Sequence, residues 1–276
     1  MEVLKRKESN KKSVEVLLST MNQNNYKFID ELNLNTNALV INQCDKTEYK
    51  ILKHNSNIIR VFSTEDRGIG ISRNMALNHA EGKFVIFADD DIEYVDNYDK
   101  IIVNAFEQNP QADGLVFNII TDDNSEAKNA WNKKNKRIHL YNCNRYGTIK
   151  FAFKLSSLRK KNMAFSQIFG ASIYSSGEDT IFLSECIKKG LKIYAVPDVI
   201  CLLKTKREST YFRGFNEKFF YDKGAFLKAN YPVLNNLFIF LMARKFLSKS
   251  TMNYKEIIKY MLLGKKGYKE LKGFKV

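Results

Sequence analysis

FVIFADDDIEY, Phe84 to Tyr94, joins an apolar run to three consecutive carboxylates, Asp89, Asp90 and Asp91. A short apolar run bounded by turn signals reads as a strand buried on both faces. Its end is unusual, because like charges held so close repel one another. Two readings of the triplet stand on these residues alone. A divalent cation neutralises it, or it is a solvated turn or helix cap.

The same pattern repeats on either side. Further strands are predicted at 13–19 (SVEVLLS), 38–42 (ALVIN), 58–62 (IIRVF) and 114–120 (GLVFNII), with the triplet closing a strand at 83–88 (KFVIFA). A helix is predicted over 71–82 (ISRNMALNHAEG), with Ile71, Met75 and Leu77 inward and Gly82 as its stop. Asp96 or Asn97 caps another, which reaches Glu107 before Pro110. Strands alternating with helices predict an α/β fold with a mainly parallel central sheet.

In open sheets of this kind the ligand lies at the carboxyl ends of the strands. The residues just beyond each predicted strand are therefore informative. Thr20-Met21-Asn22 comes after the first, Cys44 and Asp45 after the second, STEDRGIGISRN after the third and the aspartates after the fourth. The triplet falls where a site is expected.

Beyond Ile120 the pattern loosens, with short strands expected in segments such as YGTIKFAF. SSGEDTIFLSECIKKG then reads as a loop and a helix, with Asp179 in the first turn, Ile181, Phe182 and Cys186 at apolar positions and Gly190 as the stop. LKIYAVP and DVICLL are predicted as two strands, and helices are expected beyond Lys204.

Composition sets the outer bounds. The chain has 276 residues, 44% hydrophobic and 27% charged, which suits a large globular domain or a domain with an appendage. The four cysteines form no CxxC pair and the three histidines add no zinc-like spacing, so free thiols are expected. MEVLKRKESNKKSVEV lacks an apolar core, and no run approaches the ~18 apolar residues of a membrane span. A cytoplasmic protein is expected, with room for contact at a membrane surface.

The net charge of +15 is unevenly spread. From Lys204 to Val276 there are seventeen Lys and Arg against five Asp and Glu, interleaved with fifteen Phe and Tyr. From Ala127 to Gly177 there are eleven Lys and Arg and no acid at all. Such surfaces suit nucleic acid, anionic lipid or phosphorylated substrates.

The run RGIGISRNMALNHAEGKFVIFADDDIEY resembles the central segment of glycosyltransferase family 2, in Gly68, Gly70, Ser72-Arg73-Asn74, Ala76, Ala80, Gly82 and the ADDD beyond them. LLSTMNQ is similar to the family's first strand and its ending, with Met21 where the family has Tyr. Asp45 stands where the family carries an aspartate, and SGEDTIFLSECIKKGLKIYAVP resembles its later Glu-Asp segment. The likeness runs in order from about Val14 to Leu203.

That resemblance implies a GT-A fold, Rossmann-like, and an inverting sugar transfer from a nucleotide-diphosphate sugar, a UDP-sugar by preference. The acceptor would be a glycan or lipid-linked saccharide of a bacterial cell surface. Residues 1–203 would form the catalytic domain, with the nucleotide-sugar half at about 13–120 and the acceptor half at about 121–203. Residues 204–276 lie beyond the likeness; they are expected to form a basic helical extension whose interleaved basic and aromatic residues either pack on the catalytic domain or suit peripheral contact with the inner face of the plasma membrane, and nucleic acid is not expected as a partner. Carried over by position, Thr20, Asn22, Asp45, Arg73, Asp89 and Asp90 would bind the nucleotide sugar, with Arg67 a weaker candidate. Asp91 would hold Mn²⁺ or Mg²⁺, with Asp89, since strict D-x-D spacing selects that pair. Ala88 stands where the family's first aspartate is common, which leaves Asp89 and Asp90 to share two roles. Asp179 would be the catalytic base and Glu178 its helper. A non-catalytic binder of nucleotide sugars or polyanions is the competing reading, carried by the net charge. A nucleotidyltransferase is disfavoured, because LLSTMNQNN lacks a Gly-rich, basic first loop.

Overall fold

The computed structural model describes residues 13–121, 131–170, 172–204 and 214–274. The N-terminal stretch that bears on a signal sequence, the start of the acid-free block and the basic run just after Lys204 lie outside the described residues.

Five strands open the chain: β1 (Val14–Met21), β2 (Asn37–Gln43), β3 (Glu48–His54), β4 (Asn57–Thr64) and β5 (Phe84–Asp89). In β1 only Met21 is exposed, as expected of a strand covered on both faces. Helix α1 (Ile69–His79) joins β4 to β5. Then come β6 (Ile92–Tyr94), α2 (Tyr98–Gln108), β7 (Gly114–Thr121), β8 (Lys136–Arg137), β9 (Phe151–Lys154), α3 (Leu155–Lys160), α4 (Glu178–Lys188) and β10 (Ile193–Leu203). One sheet holds all ten strands in the order β3-β4-β2-β1-β5-β9-β7-β10-β6, with β8 beside β10. It is mostly parallel through its long strands: β4, β2, β1 and β5 run together, and so do β7 and β10. The short β6, β8 and β9 and the edge strand β3 pair antiparallel.

Side chains alternate across the sheet and build two cores. Val14, Val16 and Leu18 of β1 share one with Tyr98, Ile102, Ala105 and Phe106 of α2. Leu17 shares the other with Ala76 and Leu77 of α1 and with Phe182, Leu183 and Cys186 of α4. The expected mainly parallel sheet flanked by helices is what the chain adopts.

Several local expectations need correction. Helix α1 stops at His79, with Ala80 already extended, so Gly82 is not its stop. Gly82 is instead required by a close approach: a Cβ there would lie 2.6 Å from Cβ of Glu15. The buried side of α1 is Ser72, Arg73, Ala76 and Leu77, while Ile71 and Met75 are only half-buried. LKIYAVP and DVICLL form one strand, β10, whose register slips on either side of Val199. A bulge accommodates Pro197, which cannot donate to the ladder. Strand β3 has no counterpart in the sequence reading. Its Glu48, Lys50 and Lys53 suit an exposed edge, and Asn55 at φ 54° turns the chain back into β4. All four cysteines are unpaired and buried, as expected.

The chain divides into two compact units, Met1–Phe165 with Phe182–Arg207, and Ser166–Ile181 with Glu208–Val276. The second contains α5 (Glu217–Asn230), α6 (Asn235–Phe246) and α7 (Tyr254–Glu270) around a core of its own. Asn216 caps α5 and a reciprocal Asn253–Glu256 box caps α7. Glycines let α5 and α7 touch backbone to backbone. A Cβ on Gly224 would sit 1.9 Å from the Met261 carbonyl, and one on Gly264 would sit 1.8 Å from that of Tyr221.

Candidate active site

Strand register brings the predicted groups to one edge of the sheet. Ser19 lies beside Asp89, Thr20 beside Asn42, and Gln43 beside Thr64. The carboxyl ends of β1, β2, β4 and β5 are therefore neighbours, as the parallel pattern requires.

Asp90 is fixed from the end of β1. Its Oδ2 accepts from Thr20 Oγ1 at 2.6 Å and from Gln23 Nε2 at 3.0 Å, and Gln23 also reaches Thr20 Oγ1. Gln23 is held in turn by the buried Asn42. The Asn42 side chain accepts from the Gln23 N–H and donates to the Gln23 carbonyl, both at 3.0 Å. Asn22 supplies the turn between them, at φ 54°, a conformation Asn tolerates better than most residues. Its own side chain is exposed.

The Ser72-Arg73-Asn74 triplet now has a job for each member. Ser72 Oγ donates to Ser19 Oγ and ties α1 to β1. Arg73 is buried, and its Nη2 lies 3.5 Å from Asp89 Oδ1. A buried guanidinium needs such a partner, because an unpaired charge is costly away from water. The Phe165 ring lies under it, 5.4 Å from ring centre to guanidinium carbon, and stacks on Phe182 at 3.8 Å. Asn74 holds Phe165 in place by bonding both its backbone groups.

Asp91 lies in the turn from β5 to β6, and its carbonyl accepts from the Lys204 N–H at the end of β10. The nearby Cys201 thiol is pushed up to about 12, mainly by burial, while Lys150 opposes the shift and Asp91 adds to it. Lys150 is only 7% exposed, so a nearly buried cation and the Asp91 carboxylate both act on one thiol.

Asp45 stands apart from this cluster, highly exposed, and pairs with Arg67 Nη2. Arg67 Nη1 also donates to the carbonyls of Cys44, Thr64 and Glu65, which ties the ends of β2 and β4 together. Gly68 is next at φ 129°, a conformation for glycine, and its N–H donates to Gln43 Oε1.

Glu178 and Asp179 belong to the second unit, in the first turn of α4. Gly177, at φ 121°, precedes them, and a Cβ on it would lie 2.7 Å from the Phe226 ring. Its carbonyl accepts the first helical bond, from Ile181. The loop before it is clamped: the Ser175 N–H and Oγ and the Lys218 ammonium all donate to the buried Asp222.

The sequence reading did not single out Gln23, Asn42, Phe165 or Lys150. Gln23 closes the LLSTMNQ segment, Asn42 ends a predicted strand, and Lys150 and Phe165 fall in the acid-free block, but those patterns did not mark them as site residues. The triplet offers an all-oxygen donor set, which suits Mg²⁺ or Mn²⁺ rather than a thiophilic metal. Among the described residues no three His, Cys, Asp or Glu side chains gather as a metal cage. Hard ions in nucleotide sites are held by one or two carboxylates, with water and phosphate completing the shell, and Asp89 and Asp91 fit that pattern.

Comparison with known proteins agrees with the fold and the motifs. The family model for glycosyl transferase family 2 matches residues 14–166, more than half of the chain. No curated protein matches by sequence. Among solved structures, S. aureus TarS residues 1–349 in complex with UDP-GlcNAc aligns with a TM-score of 0.58 and 16% identity, over 91% of this chain and 71% of that one. The mannosyltransferase PcManGT from Pyrobaculum calidifontis, in complex with GDP-Man and Mn²⁺, aligns with a TM-score of 0.53 and 12% identity, over 94% of this chain and 88% of that one. At such identities these two likenesses concern the fold, which is that of GT-A glycosyltransferases. Family membership sets aside the non-catalytic reading: the chain belongs to glycosyltransferase family 2 and is a glycosyltransferase.

Proposed function

We propose that this enzyme transfers a sugar, with inversion, from a nucleotide-diphosphate sugar to a glycan or lipid-linked acceptor in bacterial cell-surface glycan synthesis. The observation that carries the reading is the Asp89–Asp91 cluster at the strand ends, braced by Thr20, Gln23 and Arg73. The printed ligands of the two structural neighbours, UDP-GlcNAc in one and GDP-Man with Mn²⁺ in the other, support a nucleotide-sugar donor and a divalent metal. A UDP-sugar is the preferred donor.

Each residue then takes a role. Asp91 and Asp89 hold Mn²⁺ or Mg²⁺. When bound, the ion offsets charge on the diphosphate leaving group. Asp90, with Thr20, faces the donor, and Asn22 lies near the nucleotide. Arg73 supports the donor through Asp89. Asp45, steadied by Arg67, meets the nucleobase. Asp179 takes the proton from the acceptor hydroxyl, with Glu178 as its helper, a role typically worth 10²–10⁴-fold in rate.

Residues 13–120 form the nucleotide-sugar half in this reading and 121–203 the acceptor half. Residues 204–276 form the basic extension. The buried unpaired thiols suit a reducing, cytoplasmic compartment, and a lipid-linked acceptor would place the work at the membrane face.

The test is sugar transfer to a glycan acceptor, monitored by release of nucleoside diphosphate from each of several nucleotide sugars. Turnover is expected with one nucleotide class and loss of it in Asp179→Asn. Turnover in purified Asp179→Asn equal to that of wild type would overturn the assignment of the base.

A further inference from the structure

Helix α6 departs from the pattern of an ordinary surface helix. Its inner side, Asn235, Ile239 and Ala243, is buried in the second unit. The opposite side should then be polar. It carries Leu237, Phe240 and Leu241 instead, each about half exposed, and the turn before it adds Val233, 88% exposed, and Leu234. Val233, Leu237 and Phe240 succeed one another at helical spacing, as do Leu234, Leu237 and Leu241, so they form one strip. A contiguous exposed apolar strip of this kind marks an interaction surface.

Charge frames the strip. Arg244 and Lys245 lie in the last turn of α6, and Lys249 comes soon after. Lys265 of α7 donates to Asn236 of α6 at 2.6 Å, which anchors another cation on the same helix. From Lys223 to Lys255 the chain has no Asp or Glu. No helix of the described residues is long and apolar enough to cross a membrane, and α6 has only twelve residues, roughly 18 Å of helix.

We infer that this strip docks on an anionic lipid bilayer. Helix α6 lies in the plane of the interface, with Leu237, Phe240 and Leu241 at the acyl boundary. Arg244, Lys245 and Lys249 lie among the head groups, where long basic side chains keep their charge wet while their stems stay apolar. Each basic group near an anionic surface strengthens partition by roughly five-fold. A second copy of the chain is the poorer occupant. Pairing through this strip would gather both copies' cations with no acid from the stretch to offset them. Docking of this kind is independent of the sugar-transfer reading.

Sedimentation of the full chain with lipid vesicles tests it. Binding is expected to vesicles of phosphatidylglycerol mixed with phosphatidylcholine, to be weak on phosphatidylcholine alone, and to fall as salt rises. Leu237→Asp with Leu241→Asp should lower binding at least about ten-fold while keeping the wild-type circular dichroism and Tm, since both positions are exposed. Arg244→Glu with Lys245→Glu should lower it on the anionic vesicles. Asp91→Asn, outside the second unit, should bind vesicles as wild type does. The inference fails if the wild type stays in the supernatant with both vesicle types, or if the double Asp variant binds as tightly. It also fails if the strip instead supports a soluble dimer that the same variants split.

Discussion

The two ends of the same central strands hold acids in different ways. Near the start of β1, Glu15 is buried, and its carboxylate accepts from Arg60 at 2.7 Å and from the N–H groups of Glu81 and Gly82. At the other end of the sheet the Asp89 side chain is 37% exposed and shares the turn with Asp90 and Asp91. Glu15 is closed in by a cation, two backbone donors and a glycine that has no room for a Cβ. The aspartates are braced from below but remain within reach of solvent. A carboxylate sealed by its partners stabilises the fold, whereas clustered carboxylates at an open strand end are available to a ligand.

Substitutions at the two ends should separate along that line. The largest effect is expected at the open end. Asp91→Asn should lower transfer by at least about 10³-fold, in the range removed with one group that acts only in the reaction. Its Tm should stay near that of wild type, and steady-state turnover beside a melting curve checks both. Next comes the closed end. Glu15→Ala takes one carboxylate from Arg60, which keeps Glu81 and the His79 carbonyl, and strips the acceptor from the Glu81 and Gly82 N–H groups; it should cost about 3 kcal/mol of stability, read from denaturant unfolding, with transfer per folded molecule retained. A stable but inactive Glu15→Ala would show that the closed end serves transfer rather than the fold.

Smaller effects are expected elsewhere. Gly224→Ala should cost about 1–3 kcal/mol by driving a methyl into the Met261 carbonyl, and a lowered urea midpoint would show it. Gln23→Ala removes a side-chain donor to Asp90 and should raise the donor KM by roughly ten-fold with little change in Tm. An unchanged KM would mean that the hydrogen bond steadies the loop alone.

Much of the sheet was legible because parallel strands covered on both faces leave continuous apolar runs, as SVEVLLS and KFVIFA do. The strand ends were legible for the same reason, since the polar residues after each run had to gather on one edge. What escaped depended on distance in space. Gln23 and Asn42 look like ordinary loop and strand polars until register sets them side by side. Phe165 meets Arg73 across 92 positions, a pairing that no local pattern reveals. Strand β3 was missed because an edge strand keeps its charges, and β10 was read as two because a bulge carries its proline. Gly82 drew the wrong reason: a glycine after a helix suggests a stop, but here it answers to Glu15.

In the proposed site Asp91 helps to bind a nucleoside diphosphate together with a divalent ion. Thermal unfolding of wild type and Asp91→Asn with uridine and guanosine diphosphates, with Mn²⁺ and then with chelator, tests it most directly. One nucleotide is expected to raise the wild-type Tm by several degrees when Mn²⁺ is present, since ligand at 100 times its Kd adds about 2.7 kcal/mol. Chelator should remove the shift, and Asp91→Asn should not show it. A shift of equal size without metal, an equal shift in Asp91→Asn, or no shift with either nucleotide would contradict it.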